Sequence, residues 1–130
     1  MIATSITLFP LGMVTVCPGG QLLLTCERMS GIILYWDISI PRMPSATTQR
    51  IVLSQGHLDS PEFRIGFTEF NITRTSDSPL ISQLLISNVT SEINGSIIYC
   101  SEDGVENDAP MITINVKYKG IIMCIYTAAG

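Results

Sequence analysis

The sequence predicts an all-β protein in which two antiparallel sheets form a sandwich. Short runs alternate between apolar and polar residues, and this period of two gives each strand one buried face and one wet face. Prolines, glycines and polar residues separate the runs, and the chain is nearly free of the helical period. About eight such strands within roughly 110 residues favour antiparallel pairing, because parallel strands need long crossover connections.

Turn residues and parity define the strands of the first half. A Pro-Gly-Gly turn follows Cys17 and ends the first run. Cys26 shares its parity with two leucines of the second run, and Trp36 shares its parity with Leu34 and Ile38 in the third. Two prolines then mark a loop, because proline cannot donate a ladder hydrogen bond. The predicted strands of this half are 11–16, 21–27, 32–38 and 49–53.

The second half shows the same alternation. Phe63, Ile65 and Phe67 alternate with arginine, glycine and threonine. This run is therefore predicted to be one strand with these three apolar side chains on its inner face. In the last run, Ile112 and the apolar residues at every second position after it, as far as Tyr118, alternate with polar residues. The predicted strands of this half are 63–70, 80–86, 96–101 and 111–118.

The composition excludes several classes of function. The 130 residues include 7 Lys and Arg against 11 Asp and Glu, for a net charge of −4. No nucleic-acid partner is expected, because phosphate binding needs a basic surface. His57 is the single histidine, and no G-x-S-x-G, P-loop or HExxH motif is present. We therefore expect no enzymatic activity, no cofactor and no metal site.

The two ends of the chain are apolar, and each has more than one interpretation. Residues 1–10 are interpreted as an N-terminal extension or leader remnant, with a first strand as the alternative, since the charged start and cleavage site of a secretory signal are missing. Residues 11–118 form the predicted domain. The tail 119–130 is either the beginning of a membrane segment or the frayed end of the last strand, because no complete span of about 18 apolar residues occurs.

Two cysteines and a tryptophan carry a resemblance to the immunoglobulin superfamily. Trp36 follows Cys26 by ten residues and Cys100 follows it by 74, each within a predicted strand. The stretches LLLTC, LYW, LLISNVT and NGSIIYC match the family pattern. From residue 11 to residue 118 the chain thus resembles an immunoglobulin-like antiparallel β-sandwich of Greek-key topology. The length between the cysteines is similar to that of the variable type, and the choice between V-set and I-set stays open.

The resemblance implies a disulfide between Cys26 and Cys100 that links the two sheets beside the core tryptophan, Trp36. Closing a loop of this length stabilises the fold by about 4 kcal/mol in the chain-entropy model, and such a bond persists only in an oxidising compartment. Cys17 and Cys124 lie outside the family pattern. A second disulfide between these two, a free Cys17, and pairing of Cys17 with another chain are the open alternatives.

Three positions shortly before the second core cysteine depart from the family. Asn94, Ser96 and Ile98 stand where many members have Asp, Gly or Ala, and Tyr, respectively. The tyrosine hydroxyl that ties this corner to the backbone is therefore expected to be missing. The Arg–Asp pair of variable-type domains is in doubt, and Arg64 is left with Glu92 as a partner in a surface pair of little energy.

Three sequons predict N-glycosylation of at least one site if the chain is secreted. They begin at Asn71, Asn88 and Asn94, and they use three of the five asparagines in the chain. All three are predicted to lie at strand ends or turns, where a glycan can be accommodated.

Parity also predicts a recognition face. If Trp36 and Cys100 point into the core, their neighbours in the chain point outward from two strands that are adjacent in the family. Uncharged Tyr and Ile side chains without a sequon are typical of an interface core; the alternative is a patch covered by the loop 39–46 or by the rest of a longer protein. The candidate binding face consists of Ile33, Tyr35, Ile97 and Tyr99.

The expected function is recognition or adhesion by the extracellular part of a cell-surface protein. Its partner would be a protein ligand or an identical domain on another cell, with a possible membrane anchor beyond the C-terminus. A structural spacer and a secreted soluble binder are the alternatives. The connection 101–110 carries four acidic residues and is interpreted as a solvated hairpin tip, with contact to a basic partner as the functional alternative.

Overall fold

A computed structural model describes residues 6–28, 33–41, 48–54, 62–77, 79–101 and 109–117. These residues form ten strands and one short 3-10 helix, Ser91–Ile93. No helix within these ranges combines the length and apolar character that crossing a bilayer requires. The strands are β1 Ile6–Phe9, β2 Gly12–Val16, β3 Leu22–Arg28, β4 Ile33–Ser39, β5 Thr48–Ser54, β6 Glu62–Ile65, β7 Thr68–Asp77, β8 Leu80–Ser87, β9 Ile97–Ser101 and β10 Met111–Val116.

The strands form two five-stranded sheets. Sheet A has the order β1-β3-β8-β7-β6, and sheet B has the order β2-β10-β9-β4-β5. Every neighbouring pair is antiparallel except β2 and β10, which run parallel. The predicted all-β sandwich is thereby confirmed.

The sandwich begins earlier than the sequence predicts. Ile6–Phe9 forms β1 and pairs with β3, so that Leu8 lies opposite Cys26 and is 4% exposed. Residues 6–9 thus belong to the sandwich instead of an extension that ends at residue 10. Pro10 interrupts the run, since it cannot extend a ladder, and β2 continues on the other sheet. Residues 1–5 and 119–130, including the predicted tail, lie outside the described residues.

The predicted strand 63–70 is wrong, because it consists of two strands and a tight turn. Gly66 has a φ of 61°, a conformation that glycine adopts without steric cost, and the chain reverses there. The reversal changes the parity: Phe67 is 73% exposed, whereas Thr68 is fully buried. The new pairing places Phe63 against Phe70, with ring centroids 4.6 Å apart.

The core lies between the sheets and follows the predicted alternation. β8 and β10 alternate between buried and half-buried or exposed side chains along their whole lengths. Sheet A and sheet B each contribute several fully buried side chains, which are Leu24, Phe70, Ile72, Leu80, Leu84 and Ile86 from sheet A and Leu34, Trp36, Ile38, Ile98 and Ile112 from sheet B. Tyr118, the predicted end of the last strand, lies outside the described residues.

A disulfide joins Cys26 of β3 to Cys100 of β9 through the middle of this core, with a Cα–Cα distance of 6.4 Å. Trp36 is the register partner of Cys100 on β4. Its indole Nε1 donates a hydrogen bond of 2.9 Å to the hydroxyl of Ser82 on β8, and that hydroxyl donates to the backbone carbonyl of Thr73 at 2.9 Å. Ser82 is in turn the register partner of Cys26, so a covalent bond and a hydrogen bond link the same region of both sheets.

Polar side chains hold the end of the sandwich where the resemblance predicts that a tyrosine hydroxyl is missing. Ile98 occupies that position and is fully buried. The hydroxyl of Thr68 donates to the carbonyl of Asn88 and accepts from the backbone N–H of Thr90, each at 3.1 Å. The carboxamide oxygen of Asn94 accepts the backbone N–H of Val116 at 2.7 Å.

The expected pair between Arg64 and Glu92 does not form. Arg64 lies opposite Glu69 across the β6–β7 ladder and forms an ion pair with it at 3.2 Å. Glu92 instead accepts a hydrogen bond from the hydroxyl of Thr90. The cross-strand register decides the partner, because directly opposed side chains are the closest pairs on a sheet.

Replacing both Cys26 and Cys100 by alanine is expected to lower the free energy of unfolding by about 4 kcal/mol, since the loop that the bond closes is no longer restrained in the unfolded chain. Denaturant titration of the oxidised protein and of the double variant measures this difference. Thiol titration of unfolded, unreduced protein should find neither cysteine reactive, and two free thiols at these positions would contradict the crosslink.

Ser82→Ala is expected to lower the free energy of unfolding by about 1 to 3 kcal/mol, because the buried indole N–H of Trp36 loses its acceptor. Ser87→Ala is the matched control on the same strand, at a half-buried outward position, and should change stability by less than about 0.5 kcal/mol. Urea denaturation compares the two variants, and equal losses would contradict a role for the indole hydrogen bond.

Candidate recognition surface

The outward face of sheet B brings together residues from four strands. Antiparallel register places Tyr99 of β9 between Asp37 of β4 and Met111 of β10. Thr113 of β10 lies opposite Ile97 on one side. The inward positions of the same strands are filled by the core, so the side chains at alternate positions point away from it.

The four predicted face residues lie on this surface, but they are not a bare patch. Ile33, Tyr35, Ile97 and Tyr99 are half-buried. The two polar positions between the tyrosines are deeply buried: Asp37 is 1% exposed and Ser101 is 3% exposed. The four side chains were predicted to be exposed, and this part of the prediction is wrong because they are half-buried. Their predicted outward direction agrees with the alternation of buried and half-buried residues along β4 and β9.

The register explains why short side chains become buried on an outward face. Tyr35 lies opposite Ser101, and Asp37 lies opposite Tyr99. The two tyrosines thus occupy one diagonal of a square on adjacent strands, and the two short residues occupy the other. Directly opposed Cβ atoms lie only about 5 Å apart, so large neighbours screen the short side chains from water.

Two methionines that the sequence interpretation missed are exposed on the described strands of this face. Met111 is 42% exposed and lies opposite Tyr99. Met13 is 70% exposed and lies beside Thr113 in the parallel β2–β10 pair. Parity within the last strand could have identified Met111, since it precedes the inward Ile112. Met13 depends on the parallel register with β10, which no local pattern reveals. We call Met13, Tyr35, Ile97, Tyr99 and Met111 the sheet B face.

The described part of the whole outward face of sheet B, which includes the sheet B face, is almost without charge. Among the described side chains of β2, β4, β9 and β10, Asp37 is the one charged group on it, and it is buried. Depletion of charge with enrichment of Tyr and Met characterises interface cores, and the flexible thioether of Met adapts to varied partner surfaces.

None of the three sequon asparagines is a residue of the sheet B face. Asn88 is exposed in the turn after β8, with a φ of 53°, and its amide donates to the carbonyl of Phe67 at 2.9 Å. Asn94 lies just after the 3-10 helix. Asn71 does not lie at a strand end as predicted; it is inside β7, paired on both sides, and points outward from sheet A between buried Phe70 and Ile72.

The remaining candidate residues give no reactive centre within the described ranges. Cys17 is disulfide-bonded and 6% exposed, while its proposed partner Cys124 lies outside those ranges. His57 and the acidic residues of the loop 102–108 lie outside them as well. The residues that the structure describes contain no cluster of three or more His, Cys, Asp or Glu side chains that could hold a metal ion.

Comparison with known proteins gives a match in structure alone. No protein-family model matches the chain, and no curated protein is similar to it in sequence. One similar solved chain comes from a structure described as the structural basis of T cell specificity and activation by the bacterial superantigen toxic shock syndrome toxin-1. The TM-score is 0.59 at 17% identity, and the match covers 88% of this chain and 100% of that chain. At this identity the similarity indicates a common fold and nothing about binding.

Proposed function

We propose that the chain is an immunoglobulin-like domain of the variable type. The strand order supports this assignment, because β1, β3, β8 and β7 follow the A-B-E-D order of one sheet, and β10, β9, β4 and β5 follow the G-F-C-C′ order of the other. The disulfide then links strands B and F, and Trp36 lies on strand C, as in antibody domains.

One feature of the proposed assignment departs from the variable type. In that type a C″ strand continues the sheet that contains C and C′. Here β6 pairs with β7 at the edge of sheet A. The turn at Gly66 accounts for the difference, because a two-residue reversal forces β6 to pair with the strand that follows it.

We propose that the domain acts by binding another protein through the sheet B face, outside the cell and without chemistry of its own. The observation that carries this proposal is the exposure of Met13 and Met111 next to half-buried tyrosines, where the described side chains of β2, β4, β9 and β10 present no exposed charge. Apolar side chains in this position gain from being covered by a partner. The fitting partner is a protein with an apolar, weakly charged surface of its own.

Two further observations support extracellular recognition. The disulfide in the core is stable in an oxidising compartment and is reduced in the cytosol. None of the sequon asparagines, Asn71, Asn88 and Asn94, belongs to the sheet B face, so no glycan would be attached to its own residues.

Met111→Arg is expected to weaken partner binding by about tenfold or more, because a charge would have to be desolvated at the centre of an apolar interface. The domain is produced as a secreted tetramer, and this tetramer is titrated onto cells. Each cell displays one ectodomain from the same organism, and one of the displayed ectodomains is the domain itself. Saturable binding to a displayed ectodomain, or to the domain itself, supports the proposal if Met111→Arg reduces it.

Leu23→Arg is the matched control for this test. Leu23 is 48% exposed, close to the 42% of Met111, but it lies on the outward face of sheet A. It should leave binding unchanged, and Tyr99→Ala should weaken binding as Met111→Arg does. No saturable binder, or equal losses for Leu23→Arg and Met111→Arg, would favour a structural spacer instead.

A further inference from the structure

The outward face of sheet A carries a second apolar surface. Leu23 of β3 is 48% exposed and lies opposite Leu85 of β8, which is half-buried. Phe9 of β1 is 76% exposed and lies opposite Thr25, diagonal to Leu23. Diagonal neighbours on a sheet lie within reach of aromatic side chains. We call Phe9, Leu23 and Leu85 the sheet A patch.

Asn71 is the direct neighbour of this patch. It lies opposite Leu85 on one side and Glu62 on the other, so Leu23, Leu85, Asn71 and Glu62 form one row across four strands. Thr73, the third residue of its sequon, is exposed on the same face. The acceptor amide and the threonine that makes it a sequon therefore lie on the same surface as the apolar side chains.

The side chain of Asn71 differs from those of the other two sequon asparagines. Asn88 donates its amide to the carbonyl of Phe67, and Asn94 accepts the N–H of Val116, so both carboxamides fasten loops. Within the described part of the chain Asn71 makes no side-chain hydrogen bond. A polar amide that makes no hydrogen bond with the described residues, beside the half-buried Leu85, has no evident role in holding the fold.

We propose that Asn71 carries an N-linked glycan that covers the sheet A patch. The glycan shields Leu85 and Leu23 from water and from other chains, because a bulky, solvated group anchored in the same row occupies the space above them. The covered face leaves the sheet B face as the apolar surface open to a partner. This inference rests on the proposed passage through the secretory pathway.

The modification is a group transfer at the amide nitrogen of Asn71. The nitrogen loses one proton and bonds to the anomeric carbon of an oligosaccharide carried on a lipid pyrophosphate. The bond between that carbon and the pyrophosphate oxygen breaks, and the lipid pyrophosphate leaves with the electron pair. The amide keeps its other hydrogen, and no atom is oxidised or reduced.

The test is secretion of the full chain from eukaryotic cells behind a foreign leader, so that glycan occupancy does not depend on the native address. Thr73→Ala removes the sequon and keeps Asn71, while Thr73→Ser keeps the sequon and is the matched control. Mass spectrometry of the peptide containing Asn71, with and without amidase removal of the glycan, measures occupancy. Sedimentation velocity measures self-association.

Occupied Asn71 in the wild type and in Thr73→Ser, with both proteins monomeric, is the expected result. Thr73→Ala should lose the glycan at this site and self-associate. Adding Leu23→Glu to Thr73→Ala should restore the monomer, because it places a charge in the uncovered patch, whereas adding Met111→Arg should not. Rescue by Leu23→Glu also distinguishes an exposed patch from a failure to fold.

An unoccupied Asn71 in the secreted wild type would overturn the modification. A Thr73→Ala protein that stays monomeric, or one that Leu23→Glu does not rescue, would overturn the covering role. Both outcomes are separate from the recognition test, since the effect of Met111→Arg on partner binding is measured on the glycosylated protein and does not depend on Thr73.

Discussion

The link between the two sheets at the centre of the core determines the rest of the structure. Cys26 and Cys100 form the covalent bond, and their register partners, Ser82 and Trp36, form a hydrogen bond beside it. Four strands, two from each sheet, are thereby held at one point. With the facing sides of these strands fixed, the period of two also fixes which side chains point outward, so the surfaces of the domain are a consequence of its core.

The two outward faces differ in chemistry, and this difference underlies both proposals. The described part of the sheet B face holds Met and Tyr with one buried charge. Sheet A carries Glu27, Glu62 and the Arg64–Glu69 pair together with a sequon at its middle. A small domain with two bare apolar faces would associate with itself in register or out of it. A single open face permits pairing in one defined orientation. We therefore propose that a glycan covers the outward face of sheet A and that the sheet B face binds the partner.

The sequence predicted what depends on local alternation and missed what depends on neighbouring strands. β10 was predictable because the inward Ile112, Ile114 and Val116 alternate with polar residues. Gly66 could not be recognised as a turn, because it falls at a polar position of an alternating run. The reversal becomes visible in the positive φ of Gly66 and in the exposure of Phe67. The burial of Asp37 likewise depends on Tyr99, which lies opposite it on the neighbouring strand. The place of Met13 on the outward face depends on its parallel partner Thr113, which is 100 residues away in the chain.

Under the proposed immunoglobulin-like assignment, other side chains replace the tyrosine that is missing at Ile98. A buried hydroxyl at the position of Ile98 would tie the corner to the backbone, but hydrogen bonds to a backbone group can come from any side chain that reaches it. Here Thr68 of β7 reaches the segment 88–90 that follows the adjacent strand β8, and Asn94 reaches Val116 at the end of β10. Ile98 meanwhile adds a fully buried aliphatic side chain to the core. Because both requirements are met by different residues, the departures at Asn94 and Ile98 do not argue against the proposed immunoglobulin-like assignment.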